Sequence, residues 1–398
     1  MGIEEVEIAV IGAGPAGLIA AREASLRGVK PTVLEEHKEI GLPCHCAGLL
    51  SIKGLRKIGV PLDGPFVQNK VRGARFFSPS NLSFTVKREE PVACVVDRYL
   101  LDKFLAEQAS RMGSLIKLNS RVRVAKRDVK GWILDINGYG KLRTKVLIDA
   151  EGVSRRILGM TGLKTPESRK LLRGLQVDIK GVNLDPDYVE VHFSSKLAPG
   201  LFAWVIPVRD DIARVGLACK DLNPRESLFK FIKKRFREFC SDIEILKFYS
   251  GLVITSGPIK RTFGNRLLVV GDSAGQVKPL TGGGVIFGGI CAIIAGRVAS
   301  EAIMSDRTDE SFLRIYEGEW RTIIGKELKL ALLARGILNK LSDKNLDEIF
   351  SIISKEEIYR ELSEKGDMDF HAKSIMNIIK KRDVLKFLPV ILKSILSS

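Results

Sequence analysis

Three glycines near the start of the chain have the type and spacing to bind phosphate: Gly12, Gly14 and Gly17. They follow a short apolar run (6–11) and precede a run of helix formers (18–27). The first glycine permits a tight turn, the second lets backbone amides approach a pyrophosphate, and the third lets the helix pack closely on the strand. Phosphates then lie at a helix N-terminus, where free N–H groups favour negative charge.

A second apolar run (31–34) ends in Glu35, whose carboxylate is placed to accept hydrogen bonds from ribose hydroxyls. Strand, glycine turn, helix, strand and acid thus follow in the order that a dinucleotide-binding unit requires. The alternative is a glycine turn in some other α/β protein. We predict a bound dinucleotide, with Gly12, Gly14, Ala16, Gly17 and Glu35 contacting it.

The next segment contains reactive side chains in the loop Cys44-His45-Cys46-Ala47-Gly48. Such a loop leaves the carboxyl edge of the sheet, where ligands bind. Cys46 is therefore a candidate catalytic or cofactor-contacting thiol, although free cysteines often serve as small buried residues. His45 points away from Cys46 on an extended loop and is expected to be solvated. The Cys-His-Cys spacing is too tight for the usual zinc patterns, so we predict no metal site.

The overall composition is that of a globular protein with an unusual charge. The chain of 398 residues can form two or three domains, and its formal net charge is +17. Such a charge suits an anionic partner, but no nucleic-acid-binding signature accompanies it. No signal peptide is evident, and no uncharged apolar run reaches ~18 residues. We expect a cytoplasmic protein, with possible peripheral attachment to the inner face of the cell membrane.

Residue patterns divide the rest of the chain into three parts. Residues 71–77, 82–86 and 92–96 indicate strands, and a helix should begin at Asp97. Alternating stretches between 170 and 254 favour an antiparallel sheet. A buried strand (266–270) and an Ala/Gly/Ile-rich helix (285–304) follow, and helices with charged faces come after residue 305. The basic amphipathic stretch 378–396 fits either membrane docking or a helix packed on the core.

Two further motifs carry a resemblance to a known class. Gly271-Asp272 with Pro279 and the glycines 282–284 resembles the ribityl-binding segment of FAD-dependent enzymes of the glutathione-reductase-like class, in the group of the aromatic hydroxylases. Ala150-Glu151-Gly152 is similar to the Asp-Gly motif of that class, with Glu in place of Asp. The resemblance implies that Asp272 accepts a hydrogen bond from the ribityl chain. It also implies that the helix beginning near Gly283 points free N–H groups at the flavin N1/O2 edge.

The resemblance implies an α/β protein with a discontinuous, Rossmann-like FAD-binding domain (1–72, 95–168 and 255–305), an inserted antiparallel-sheet substrate domain (73–94 and 169–254) and a C-terminal helical region (306–398). It adds contacts to FAD from Cys46, Ala47, Gly48, Arg98, Val122, Asp272, Pro279, Gly283, Gly284 and Val285. For Arg98 the alternative is a surface charge at a helix start.

Within that class the sequence resembles the archaeal geranylgeranyl reductases, which saturate the isoprenoid chains of membrane lipids. Their aromatic segment reads Pro-x-x-Tyr-x-Trp-x-Phe-Pro. The matching segment here runs from Pro199 to Pro207, with Phe202 in place of Tyr, Trp204 kept and Ile206 in place of Phe. These three side chains either line the substrate pocket or belong to a core strand. We expect an apolar tunnel from the flavin past Phe202 and Trp204 toward the C-terminal helices.

The expected reaction is hydride transfer from reduced FAD to a carbon–carbon double bond of a polyprenyl lipid. The chain has no second glycine-rich nucleotide motif, so NAD(P)H, if it is the electron donor, has no separate Rossmann domain. Ferredoxin or another small carrier is the alternative donor. The alternatives are an FAD-dependent monooxygenase and a non-catalytic flavoprotein that carries electrons at the membrane. A further hypothesis is that Cys46 and Cys291 flank one cavity and can form a disulfide, with Cys44 as the competing partner.

Overall fold

The computed structural model describes residues 3–165, 171–237, 243–355, 357–372, 374, 387, 389 and 390. The basic stretch 378–396 therefore lies almost entirely outside the described residues. The described part is a mixed α/β protein with three sheets and a set of C-terminal helices, as the sequence predicts.

The strands are β1 (Glu4–Ile11), β2 (Thr32–Leu34), β3 (Leu49–Ser51), β4 (Val67–Val71), β5 (Gly73–Phe77), β6 (Ser83–Lys87), β7 (Ala93–Val96), β8 (Leu115–Lys117), β9 (Val122–Arg127), β10 (Trp132–Ile136), β11 (Gly140–Asp149), β12 (Leu171–Lys180), β13 (Tyr188–His192), β14 (Ala203–Arg209), β15 (Ile212–Cys219), β16 (Glu244–Ile254), β17 (Phe263–Gly264) and β18 (Leu267–Val269). The helices are α1 (Pro15–Ser25), α2 (Ile52–Lys57), α3 (Arg98–Arg111), α4 (Pro224–Arg235), α5 (Gly271–Ala274), α6 (Val285–Met304), α7 (Glu310–Trp320), α8 (Lys326–Leu338), α9 (Asp343–Lys355) and α10 (Ile358–Lys365).

The first sheet forms the dinucleotide-binding unit. Its order is β17-β18-β11-β1-β2-β8, and β1, β2, β8, β11 and β18 run parallel, while the β9–β10 hairpin extends β11 antiparallel. The last four residues of β1 are all buried because helices cover one face and an apolar cluster covers the other. The carboxyl ends of β1, β2, β11 and β18 therefore meet at one edge.

Helix α6 lies in the core against α1. Its approach is close because Gly296 has no side chain: a Cβ there would lie 2.3 Å from the Ala20 carbonyl oxygen. By length and composition α6 is apolar enough to cross a membrane, but 78% of its most apolar 18-residue window is buried inside the protein. Burial in the core therefore accounts for its apolar composition.

The second sheet has seven strands in the order β16-β12-β15-β14-β13-β5-β6. All neighbours are antiparallel except β5 and β13, which run parallel, so the sheet that we predicted as antiparallel is mixed. Alternation sets its two faces. Ala203 and Val205 of β14 pack in a cluster with Leu228 and Phe231 of α4, whereas the intervening Trp204 lies on the opposite face.

The prediction of a single strand over 71–77 is wrong. Strand β4 ends at Val71 and pairs with β7 in a small third sheet, while β5 begins at Gly73 and belongs to the seven-stranded sheet. The N–H groups of Arg72 and Gly73 both donate to the Asp187 carbonyl, at 2.8 and 3.2 Å, which bends the chain between the sheets. The domain ranges themselves stay a prediction.

Candidate active site

One large cavity of about 2340 Å³ lies between the carboxyl edge of the first sheet, the inner face of the seven-stranded sheet and the C-terminal helices. Most of the predicted site residues line it: Gly12, Gly14, Ala16, Glu35, Cys46, Ala47, Gly48, Arg98, Val122, Phe202, Trp204, Ile206, Asp272, Gly283, Gly284 and Val285. Pockets for single small ligands are commonly ~300–1,000 Å³. The cavity thus has room for a dinucleotide and a second ligand.

The glycine turn has the geometry that phosphate binding needs. Gly12 has φ +96°, and a Cβ there would lie 2.5 Å from the Ala150 carbonyl oxygen. A Cβ on Gly17 would lie 2.0 Å from the Gly12 carbonyl oxygen, so this glycine serves close packing and does not line the cavity. A Cβ on Gly14 would meet no atom within 4 Å, so the backbone at the start of α1 is open to the cavity.

Glu35 lies at the end of β2 and is held by the glycine turn itself. Its Oε2 accepts from the Ala13 N–H at 2.7 Å, and its Oε1 accepts from the His37 N–H at 3.0 Å. These bonds fix a carboxylate, only 8% exposed, at the wall of the cavity. A fixed acceptor at this position fits a ribose hydroxyl.

Asp272 lies on α5 beside the N-terminus of α6. A Cβ on Gly284 would lie 2.6 Å from its Oδ1, and no donor among the described residues hydrogen-bonds its carboxylate. Burial raises the pKa of Asp272, and the positive charge of Arg155 opposes that rise. An acceptor without a protein partner in a cavity wall is free to accept from a bound ligand. Together with the open turn at Gly14, this arrangement fits FAD.

The Cys46 loop connects the two large sheets. Arg214 donates to the Ala47 carbonyl at 3.0 Å, and Gln176 donates to the Cys46 carbonyl at 3.0 Å. The thiol of Cys46 lies 3.4 Å from the Gly48 nitrogen and faces the positive charge of Arg98. Burial raises the pKa of the neighbouring Cys44 thiol. His45 is exposed, as predicted, and its Nδ1 contacts the Ser250 carbonyl on β16.

Arg98 has a buried ion-pair partner. Its guanidinium donates to both oxygens of Asp102 at 3.0 Å, and the two side chains are 11% and 9% exposed. The alternative of a surface charge at the start of α3 is therefore wrong.

Besides Gly17, two predicted positions lie away from the cavity. Pro279 does not line it; its carbonyl accepts from Arg335 of α8 at 3.0 Å. Cys291 is fully buried in the core near Tyr316 of α7, so it does not flank the same cavity as Cys46. The cause is helical rotation, because Cys291 lies on the side of α6 that faces the core. All five described cysteines, which include Cys44 and Cys46, are free thiols.

Two carboxylates lie at the end of β11, Asp149 and, two residues later, Glu151, and the structure gives them different surroundings. Asp149 is fully buried and accepts from the Glu151 N–H and the Ser273 hydroxyl, both at 3.1 Å. Glu151, which we matched to the Asp of the motif, caps its own turn by accepting from the N–H groups of Arg156 and Leu158. Burial, with Glu151 nearby, raises the pKa of Asp149 to about 8.

A line of aromatic rings along the cavity wall was missed by sequence reasoning, apart from its first two members. We call it the aromatic ladder: Trp204, Phe202, Phe193, Phe350, Phe84 and Phe76. Consecutive ring centroids lie 6.3, 5.8, 5.9, 5.1 and 5.1 Å apart. The ladder crosses from β14 through α9 to β5 and β6, so no local sequence pattern marks it. It reaches α9 of the C-terminal helices through Phe350, and the substrate tunnel stays a prediction.

A buried polar cluster at the start of α6 was also missed. It consists of Lys278, Asp369, Ser51 and His371, all in the cavity wall. Lys278 Nζ lies 3.1 Å from Asp369 Oδ1, and the Ser51 hydroxyl donates to the other oxygen of Asp369. These residues come from three distant parts of the chain, and only Lys278 lies near a motif. Among the described residues no group of three or more His, Cys, Asp or Glu is placed to hold a metal ion.

Comparison with known proteins identifies the family. Residues 5–288 match the FAD binding domain family. The chain is 34% identical to the digeranylgeranylglycerophospholipid reductase of Methanocaldococcus jannaschii over 351 residues, covering 86% of this chain and 89% of that protein. It is 35% identical to digeranylgeranylglycerophospholipid reductase 2 of Methanothermobacter thermautotrophicus over 364 residues, covering 88% and 92%.

The chain belongs to the digeranylgeranylglycerophospholipid reductase family of FAD-binding proteins. It is an FAD-dependent oxidoreductase. A geranylgeranyl bacteriochlorophyll reductase-like protein of Thermoplasma acidophilum superposes with a TM-score of 0.86 at 26% identity, covering 98% of this chain and all of that one. The flavin-dependent brominase Bmp2 (TM-score 0.71, 17% identity, 96% and 100% covered) shares the fold.

Proposed function

We propose that this protein saturates carbon–carbon double bonds in a geranylgeranyl or related polyprenyl chain of an archaeal-type membrane lipid precursor. The aromatic ladder is the observation that carries the proposal. A polyprenyl tail is a long hydrocarbon, and each buried CH₂ contributes about 0.8 kcal/mol. A ladder of six rings along one wall offers a continuous apolar surface, which a small polar substrate would not need.

Aliphatic side chains widen the same apolar surface. Leu201 and Ile206 flank the ladder on the sheet side, and Leu346, Ile349 and Ile353 of α9 face it from the C-terminal helices. An isolated alkene is a poor electrophile, so its reduction needs a dry site and close orientation. The sheet and α9 supply the apolar walls that such a site needs.

Bound FAD in its reduced form would supply the hydride. The residues of this chain that fit the cofactor are the open turn at Gly14, the carboxylate of Glu35 and the unpartnered carboxylate of Asp272. Cys46 and Arg98 lie in the wall between these positions and the ladder-bearing sheet, and Cys46 is our candidate catalytic thiol. The electron donor that we propose is NAD(P)H or a small carrier such as ferredoxin. An acidic carrier would suit the formal net charge of +17.

The test is an anaerobic turnover assay. Protein reduced with dithionite is incubated with a geranylgeranyl glycerophospholipid, and mass spectrometry counts the hydrogens added to the lipid. We expect additions of two hydrogens per double bond. A product that forms only with oxygen, and carries oxygen, would instead identify a monooxygenase. A reduced flavin that no prenyl lipid oxidises would identify a non-catalytic electron carrier.

A single variant tests the ladder. Trp204→Ala should lower lipid turnover by about tenfold or more while FAD stays bound, because the substitution removes a large apolar contact to the tail. The matched control is Phe248→Ala, an exposed aromatic on β16 outside the cavity wall, which should leave turnover unchanged. Wild-type turnover by Trp204→Ala would show that Trp204 belongs only to the core.

A further inference from the structure

The buried cluster around Lys278 has a charge arrangement that the proposed function does not use. Lys278 is 8% exposed and Asp369 is 4% exposed, and their charged atoms lie 3.1 Å apart. Lys278 Nζ also donates to the Met368 carbonyl at 3.2 Å. A buried ion pair of this kind costs desolvation energy and adds little net stability, so its retention calls for another explanation.

The position of the ammonium group supplies that explanation. Lys278 is joined to the turn before α6 by its own N–H, which donates to the Gly283 carbonyl at 3.1 Å. A Cβ on Gly283 would lie 3.5 Å from Lys278 Nζ, so the ammonium stands directly beside the helix N-terminus that faces the cavity. Free N–H groups at that terminus and the ammonium both direct positive charge at this wall, while the carboxyl groups of Asp369 and Asp272 lie beside them.

The positive and negative charges of the cluster come from different parts of the chain. Asp369 lies on the C-terminal segment, is held there by the Ser51 hydroxyl, and approaches Lys278 from the side of residues 367–369. His371 adds no charge, because burial, with Lys278 nearby, lowers its pKa to about 3. The ammonium is therefore a buried positive charge in the wall at this helix start, and the Asp369 carboxylate opposes part of its field.

We propose that Lys278 is a positioning residue that stabilises the anionic, reduced form of the flavin and that Asp369 limits this effect. Reduction of the flavin by two electrons and one proton leaves one negative charge on the ring, and an electropositive wall favours that state over the neutral oxidised one. The ion pair thereby sets the reduction potential of the cofactor. It also makes the C-terminal segment, through Asp369, part of the redox site.

The experiment measures the flavin midpoint potential of the FAD-loaded protein by equilibration with a reference dye. Lys278→Met should disfavour reduction by about tenfold or more in the equilibrium constant, a shift of about 30 mV to lower potential for this two-electron couple. Lys278→Arg keeps the positive charge, so its flavin potential should stay close to that of the wild type. Asp369→Asn keeps the shape and removes the opposing charge, so it should shift the potential in the other direction.

The matched control is Lys53→Met. Lys53 pairs with Asp367 of the same C-terminal segment at 3.1 Å, but its side chain is 72% exposed, so solvent screens its charge. In the Lys53→Met variant the equilibrium constant for flavin reduction should stay within about twofold of the wild-type value. A purely structural role predicts shifts of one sign, or none, in Lys278→Met and Asp369→Asn. Either result would overturn the proposal. If Lys278→Met loses FAD, the Asp369→Asn and Lys278→Arg potentials still decide it.

Discussion

At the scale of single residues, Gly14 gives the sharpest test of FAD binding. Its φ is −75° and a Cβ would enter open space, so a larger side chain costs the folded protein little. That side chain would occupy the space where the phosphates approach the backbone. Gly14→Val should therefore weaken FAD binding by about tenfold or more (~1.4 kcal/mol) while thermal stability of the apoprotein is nearly unchanged.

Equilibrium titration of apoprotein with FAD, followed by flavin fluorescence, measures this effect. The matched control is Gly159→Val, because a Cβ on Gly159 also meets no atom within 4 Å but lies outside the cavity wall. It should bind FAD like the wild type. Full FAD retention by Gly14→Val would contradict the assignment of the turn.

The buried carboxyl group of Asp149 should make the folding stability of the protein depend on pH. Its pKa is raised to about 8 in the folded protein, mainly by burial, against 3.8 for the exposed group. The folded state therefore holds a proton that the unfolded state has released between about pH 4 and 8, so this group's contribution to stability falls as pH rises through that window. Asp149→Asn cannot ionise, so its stability relative to wild type should rise from pH 5 to pH 8 and then level off.

Urea unfolding of both proteins at several pH values checks the slope. Parallel curves for wild type and Asp149→Asn would show that Asp149 is already ionised in the folded state. Sequence reasoning singled out Glu151 here and not Asp149, because the resemblance was carried by Ala150-Glu151-Gly152, which follows the strand. Burial at the end of β11 decides which carboxylate is enclosed, and one sequence does not reveal that.

At the scale of elements, Arg214 of β15 holds the Cys46 loop against the seven-stranded sheet. It pairs with Asp178 through bonds of 2.8 and 3.2 Å and donates to the Ala47 carbonyl. Tyr249 also donates to Asp178 at 2.9 Å. The cluster is nearly buried, so loss of the guanidinium leaves Asp178 without its counter-charge.

Arg214→Met should destabilise the protein by about 3–5 kcal/mol, the usual cost of breaking a buried pair on one side. The loop should also loosen, so alkylation of Cys46 by iodoacetamide should accelerate. The control Arg143→Met removes the partly buried ion pair of Arg143 with Asp128, outside the cavity wall, and should leave Cys46 alkylation unchanged. Unchanged alkylation in Arg214→Met would show that the loop is held by its other contacts.

The secondary-structure elements also show which parts of the fold can be predicted from one sequence. The dinucleotide unit was predicted well because strand, turn, helix and acid are consecutive and each has a local signal. The break at Arg72 was missed because it depends on a carbonyl more than a hundred residues away, at Asp187. The parallel pairing of β5 with β13 and the ladder contacts of Phe350 likewise depend on long-range packing. Local patterns do not encode such contacts.

At the scale of the whole molecule, the charge of +17 favours an anionic surface. We propose peripheral attachment to the cytoplasmic face of the membrane, where a polyprenyl lipid would be found. The protein should float with liposomes that contain anionic lipid and should be released at about 1 M salt, where the Debye length is ~3 Å. Equal binding to neutral liposomes, or no binding at low salt, would count against this attachment.

The order in which the cavity is completed has a consequence for synthesis on the ribosome. Strand β1 pairs with β11, with Glu4 opposite Leu142, and both strands are made early in synthesis. Leu346 and Phe350 of α9 and Asp369 of the C-terminal segment complete the cavity wall and are made late. At ~5–20 residues per second, the nascent chain exposes the apolar face of the seven-stranded sheet for several seconds before these residues emerge. Chaperones that bind apolar surfaces should therefore engage the nascent chain in that interval, and premature termination before α9 should yield aggregation-prone fragments.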